Sequence, residues 1–221
     1  MTKLFTRRPD WKVLYNIILC YSVGLAAGCQ THAKITWDPP KTASVEKRTR
    51  LAVGDLSQLN RKWELWEGKP GSKATIGKHT LTVFALPIAN ISANDETPVK
   101  ESFDKAVRVA LAAAGYDLVD SSQSPGNSAV LRGEVNRCWW WSYMWFWPVI
   151  IQGGQNEVTL FLETSSGKEL WKRKFSRAEP GFAVVGSYGF DLMIKWSMSK
   201  LVNDIVRACS SDEFKSALAA G

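Results

Sequence analysis

The chain has 221 residues, 45% apolar and 22% charged, with a formal net charge of +7; that is length and apolar content for one domain with a real core. Residues 1–28 hold Lys3, Arg7, Arg8 and Lys12 against Asp10, which leaves the other 193 residues near +4. An excess this small, interspersed with acids, excludes an argument for nucleic acid from charge.

The N-terminus reads as a secretory signal: a basic head, an apolar run from Val13 to Ala27, then small residues. Leu25-Ala26-Ala27-Gly28-Cys29 fits the processing box of bacterial lipoproteins, so residues 1–28 are expected to be removed and Cys29 to be acylated. Tyr15, Asn16 and Ser22 interrupt the apolar run, which falls short of the roughly twenty residues a transmembrane helix needs. Diacylglycerol plus an amide-linked acyl chain on Cys29 would insert several chains at once, and two or more such signals hold firmly. Gln30, where an Asp would retain the chain at the inner membrane, resembles the pattern of Gram-negative lipoproteins sent to the outer membrane, on its periplasmic face.

Residues 29–77 read as a lipidated tether and irregular segment. Pro39-Pro40 stops a helix or central strand, and Lys47 to Arg50 is a basic cluster suited to a linker or to anionic head groups. Trp63 and Trp66 are spaced for one face of a helical turn. A periplasmic domain is expected over 78–221. It opens with a strand from His79 to Ala89, closed or edged at Pro87. Thr97-Pro98 supplies a helix start, Phe103, Ala106, Val107, Ala110 and Leu111 the buried stripe, and Gly115 the stop. Strands follow at Tyr116–Val119, Ala129–Arg137, Asn156–Glu163 and Glu169–Arg177, the last two joined by a hairpin loop over 164–168. On the last, Trp171 and Phe175 share a face with Arg173 and Arg177, which predicts partial exposure. A second helix begins near Tyr188 to Asp191, and the tail from Asp212 to Ala219 has a further amphipathic turn or two. The fold class is α+β: a mostly antiparallel sheet with two main helices on one face, in the order β-α-β-β-β-β-α.

The run from Cys138 to Trp147 holds five tryptophans. As a strand it places Trp139, Trp141, Tyr143, Trp145 and Trp147 on one side, opposite Trp140, Met144 and Phe146. Three roles fit the stretch 138–151: a hairpin arm at the bilayer interface, a docking surface for an envelope protein, or an aromatic core. The tryptophans also suit stacking on a glycan. Cys138 and Cys209 are either a disulfide or two buried thiols.

Catalytic signatures are missing. Histidines are limited to His32 and His79, and there is no zinc spacing, phosphate loop or serine elbow. Gly153-Gly154 between Gln152 and Gln155 reads as a turn. Glu134 with Glu157 is the one carboxylate pair worth naming, and an alternating solvent face explains it. No enzyme, metal or cofactor is expected.

Ala114-Gly115-Tyr116, the hairpin from Leu160 to Phe175 around Ser166-Gly167-Lys168, and Leu201-Val202-Asn203-Asp204-Ile205 leading to Asp212-Glu213-Phe214 resemble the YajG-type family of bacterial outer-membrane lipoproteins. That resemblance implies a small, non-catalytic lipoprotein and brings no catalytic residue. The expected function is binding of a protein partner as an accessory or assembly factor of an envelope complex, or direct binding of membrane lipid or cell-wall glycan through Trp139, Trp140, Trp141, Tyr143, Trp145 and Trp147.

Overall fold

One strand organises the chain. Val130–Phe146 (β6) is 17 residues long, and Val149–Glu163 (β7) pairs antiparallel along all of it, from Val130↔Glu163 to Phe146↔Val149. The computed structural model describes residues 31–40, 48–58, 75–81, 86–123, 129–146, 149–184 and 189–221. Glu169–Val184 (β8) continues antiparallel beyond β7. The other edge of β6 is shared by two strands placed end to end. Thr49–Gln58 (β2) runs parallel to its first half, Ala52↔Val130 to Gln58↔Val135, and Thr75–Leu81 (β3) to its second, Gly77↔Trp140 to Leu81↔Met144. Tyr116–Asp120 (β5) flanks β2 in parallel. Leu86–Ala93 (β4) flanks β3 antiparallel, and Thr31–Ala33 (β1) adds to β4 in parallel.

The described residues therefore form an eight-stranded mixed sheet with four parallel pairings, in the order β-β-β-β-α-β-β-β-β-α-α. This corrects the mostly antiparallel, two-helix β-α-β-β-β-β-α expectation. The parallel pairings are made by β1, β2 and β3, the first two inside the span read as tether, and the strand expected at His79–Ala89 is two strands that pair with each other. Trp63 and Trp66 lie outside the described residues.

Three helices pack on one sheet face. Val99–Ala113 (α1) buries Phe103, Ala106, Val107, Ala110 and Leu111, the stripe expected from its spacing. Fully burying each of the larger side chains contributes about 1.5–3 kcal/mol. Pro98 caps the start without a side-chain hydrogen bond, and Thr97 instead accepts from the Ile35 amide at 3.1 Å. Gly115, at φ 98°, makes the turn out of the helix that a residue with a Cβ resists. Phe190–Cys209 (α2) buries Ile194, Met198, Leu201, Val202 and Ile205 beside α1 and over β7 and β8. Asp212–Ala219 (α3), capped by Ser211, drops Phe214 between Tyr116 and Trp171, at ring separations of 5.6 and 4.9 Å. Trp171 and Phe175 are buried, against the expected partial exposure, because α3 closes over that end of β8.

Residues 34–38 are sewn onto the helices. The Lys34 amide donates to Asp191 Oδ1 at 2.8 Å, the Asp38 amide to Ser199 Oγ at 2.7 Å, and Lys195 Nζ lies 2.6 Å from Asp38 Oδ1. Ile35 is fully buried.

A β-bulge in β6 decides what the aromatic run does. Val135 pairs with Val158 and Arg137 with Glu157, so Asn136 is the extra residue. Before it, Leu131, Gly133 and Val135 face the helices; after it, Cys138, Trp140 and Ser142 do. Were Asn136 paired as an ordinary strand residue, Arg137, Trp139 and Trp141 would continue the helix-facing row. Deleting Asn136 removes the bulge but leaves Arg137↔Glu157 and every later pair in register and on its native face, so it is expected to destabilise the domain only by about 1–3 kcal/mol, the cost of leaving the Thr159 hydroxyl without its partner. A modest fall in melting temperature with near-UV dichroism retained would show it, and loss of the near-UV signal would refute it.

Candidate functional site

The helices cover one face of β6–β8; among the described residues no element packs on the other, the outer face, although Glu157 and Thr159 on it are buried. Rows across β6, β7 and β8 run Arg132, Phe161, Lys172; Glu134, Thr159, Lys174; Arg137, Glu157, Ser176; Trp139, Gln155, Ala178; Trp141, Gly153, Pro180. Tyr143 pairs with Ile151 in the next row. One end is charged and the other aromatic.

The aromatic end stands on small residues. A Cβ on Gly153 would sit 2.6 Å from Cζ2 of Trp141, so that indole lies against the bare backbone of β7. Trp141 and Tyr143 stack at 5.0 Å between centroids, tilted by 51°. Trp139 and Trp141 are half-buried, and Tyr143 is 37% exposed. On the helix face Trp140 is fully buried against Gly154, where a Cβ would come within 2.2 Å of its ring. The structure thus divides the sequence-derived set: Trp140 belongs to the core, while Trp139, Trp141 and Tyr143 form the outward ladder. The Trp145 side chain and Trp147 lie outside the described residues, as does Cys29. Gly153 and Gly154, expected in a turn, are inside β7, where they make room for indoles; glycines opposite tryptophans were the signal for it.

The middle of the outer face is a connected polar network. Arg137 Nη1 donates to Gln155 Oε1 at 2.5 Å, Gln155 Nε2 donates to Ser176 Oγ at 2.7 Å, and Lys174 Nζ lies 2.9 Å from Glu157 Oε1. Thr159 Oγ1 donates to Asn136 Oδ1 at 2.6 Å, which ties the bulge to β7. Glu157 is thus engaged by Lys174, and Glu134 pairs across the strands with Thr159.

The helix face carries its own polar row. Asn156 Nδ2 donates to Ser197 Oγ at 3.1 Å, and that hydroxyl donates to the Arg177 carbonyl at 3.1 Å. His79 Nδ1 lies 2.7 Å from Ser142 Oγ, with its ring edge-on to Phe190. Burial lowers the imidazole pKa. Cys138 and Cys209 are free thiols, and desolvation of each sulfur pushes both up to about 12. Among the described residues no group of three His, Cys, Asp or Glu is placed to hold a metal, and no helix is long and apolar enough to cross a membrane.

No protein-family model matches the chain, and no curated protein matches it in sequence. Solved structures do. A Xanthomonas campestris protein assigned to the family model DUF330 is similar at a TM-score of 0.50 and 13% identity, over 80% of this chain and 92% of that one. A minor lipoprotein from Acinetobacter baumannii follows at a TM-score of 0.36 and 12% identity, over 68% and 94% of the two chains. A Neisseria meningitidis lipoprotein gives 0.33 and 14%, over 71% and 99%. The likeness is one of fold, and none of these structures singles out the YajG-type family.

Two outcomes follow from the buried groups. Cys138 and Cys209 should resist alkylation in the native protein at neutral pH and react after denaturation, with no mass change on reduction; a native mass shift with reductant would contradict this. Because the folded state holds His79 neutral, the unfolded chain takes up the proton first, at about pH 6.5. Stability is therefore present above that pH and lost as pH falls below it. Melts between pH 7.5 and 5.5 should show the loss, and His79→Gln should flatten it.

Proposed function

We propose that the chain is an outer-membrane lipoprotein, fastened through Cys29, that works by binding, as an accessory factor in an envelope complex. The observation that carries the reading is the outer face of β6–β8, on which no described element packs, with its charged-to-aromatic gradient. The processing box around Cys29 supports the anchoring. On the outer face Arg137, Gln155 and Ser176, and Lys174 with Glu157, are engaged with one another.

The polar half of the outer face suits a protein partner. Its groups already satisfy each other, so a partner covering them leaves few unpaired, which limits the desolvation cost. The aromatic end supports a second reading, contact with membrane lipid, because the sheet begins at Thr31, two residues past Cys29.

A photo-crosslinking residue at Ser176 should capture one protein reproducibly in cells, and one at Lys215 on α3 should not. Lys174→Glu should abolish the Ser176 adduct while costing about 3 kcal/mol of stability, because its partner Glu157 is buried, with near-UV dichroism showing that the domain remains folded. No adduct at Ser176, or one that persists in the variant, would refute the protein-partner assignment.

A further inference from the structure

We infer that the aromatic end of the outer sheet face rests in the interfacial layer of the same bilayer that holds Cys29, so that the domain is oriented by two membrane contacts, one covalent and one aromatic. The inference depends on the anchoring proposed above.

It starts from where the described chain begins. Thr31 is in the sheet, on a rung that runs Thr31, Ile91, Gly77, Trp140, Gly154, Glu179. Residues 34–38 are pinned to α2 and to Thr97. Two residues span at most about 7 Å, so an acylated Cys29 brings the membrane to within that reach of the Thr31 rung. No tether separates domain and lipid.

Direction follows from strand sense. β1 is parallel to β4, β4 antiparallel to β3, and β3 parallel to β6. β1 therefore runs opposite to β6, and the chain leading back from Thr31 toward Cys29 leaves on the side where β6 climbs from Trp141 to Phe146. β6 continues for six residues past the Thr31 rung, about 20 Å at roughly 3.3 Å per residue. The headgroup layer is only about 5–8 Å deep on each side. A sheet standing upright on its anchor would drive the β6–β7 end into hydrocarbon together with β8, whose other edge has no strand partner among the described residues. Unpaired strand backbone is not tolerated there. The sheet must lie inclined, with one face toward the lipid.

The two faces differ in what they would submerge. On the helix side this end carries the start of α2, where Phe190 meets His79 and the neighbouring Asp191 carboxylate accepts from the Lys34 amide, a charge that is costly to place in lipid. On the outer side it carries Trp139, Trp141, Tyr143, Ile151 and Pro180, with Lys78 beside Trp141. Indole and phenol rings favour the interface, and a lysine reaches from there to the head groups. The outer face goes down, and the turn at Thr164 to Lys168 is held away, about 40 Å along the strands from Ile151.

The test uses the full mature protein purified from the membrane, with its N-terminal acylation verified by mass spectrometry. It is placed in phosphatidylethanolamine–phosphatidylglycerol vesicles carrying a nitroxide on the headgroup. An environment-sensitive fluorophore is attached at Tyr143→Cys, Ile151→Cys or Ser166→Cys; the buried thiols of Cys138 and Cys209 stay unlabelled. Fluorescence at 143 and 151 should be lost to the nitroxide and that at 166 retained, and adding W139S/W141S should restore the signal at 151. Acylated protein that keeps its fluorescence at 143 and 151 would overturn the inference and leave the anchoring intact. Absence of acyl chains would overturn both.

Discussion

Everything placed on β6 depends on one inserted residue. Strand side chains alternate with a period of two, so a row started by Leu131, Gly133 and Val135 would carry Arg137, Trp139 and Trp141 beneath the helices. Asn136 breaks that row and is held by Thr159. The result is a strand whose first half contributes aliphatic core and whose second half sends one tryptophan inward and an aromatic ladder outward. The polar contacts of α2 depend on the same registration, since Asn156, which meets Ser197, sits opposite Cys138 in the shifted half.

Tall side chains also need low neighbours. Trp140 and Trp141 fit because Gly154 and Gly153 face them on β7, and Gly77 approaches the Trp140 carbonyl so closely that a Cβ would lie 1.8 Å from it. The helices are then tied down by polar bridges at the sheet margin: Arg177 to Asp204, and Lys200 to Glu179 at 2.7 Å. These pairs are partly exposed and individually modest. Apolar burial by Ile194, Met198, Leu201 and Ile205 supplies the larger share of the docking energy.

What was legible in the residues was local. The α1 stripe, the stop at Gly115, the start of α2 and the hairpin at 164–168 follow from spacing and turn chemistry, and the structure has them where expected. The alternation of Trp139, Trp141 and Tyr143 against Trp140 was legible too, but not which set faces the helices, because a bulge leaves no mark in composition. Topology was the larger failure. Parallel pairing of β2 and β3 with β6 joins residues about 60 to 80 apart in sequence, and nothing within a short window announces a partner that distant. β1 is three residues long, too short for any periodicity, yet it fixes where the domain meets its own N-terminus.

The forked edge of β6 has a kinetic corollary. β2 and β3 have β6 as a common neighbour, and β2 can gain only β5 before β6 is made. Sheet closure therefore waits for a strand more than halfway along the chain. Such long-range pairing is slow, since loop closure must precede the contacts that reward it. A newly made chain can pair β1, β4 and β3, but these stay separate from β2 and β5 until the central strand arrives.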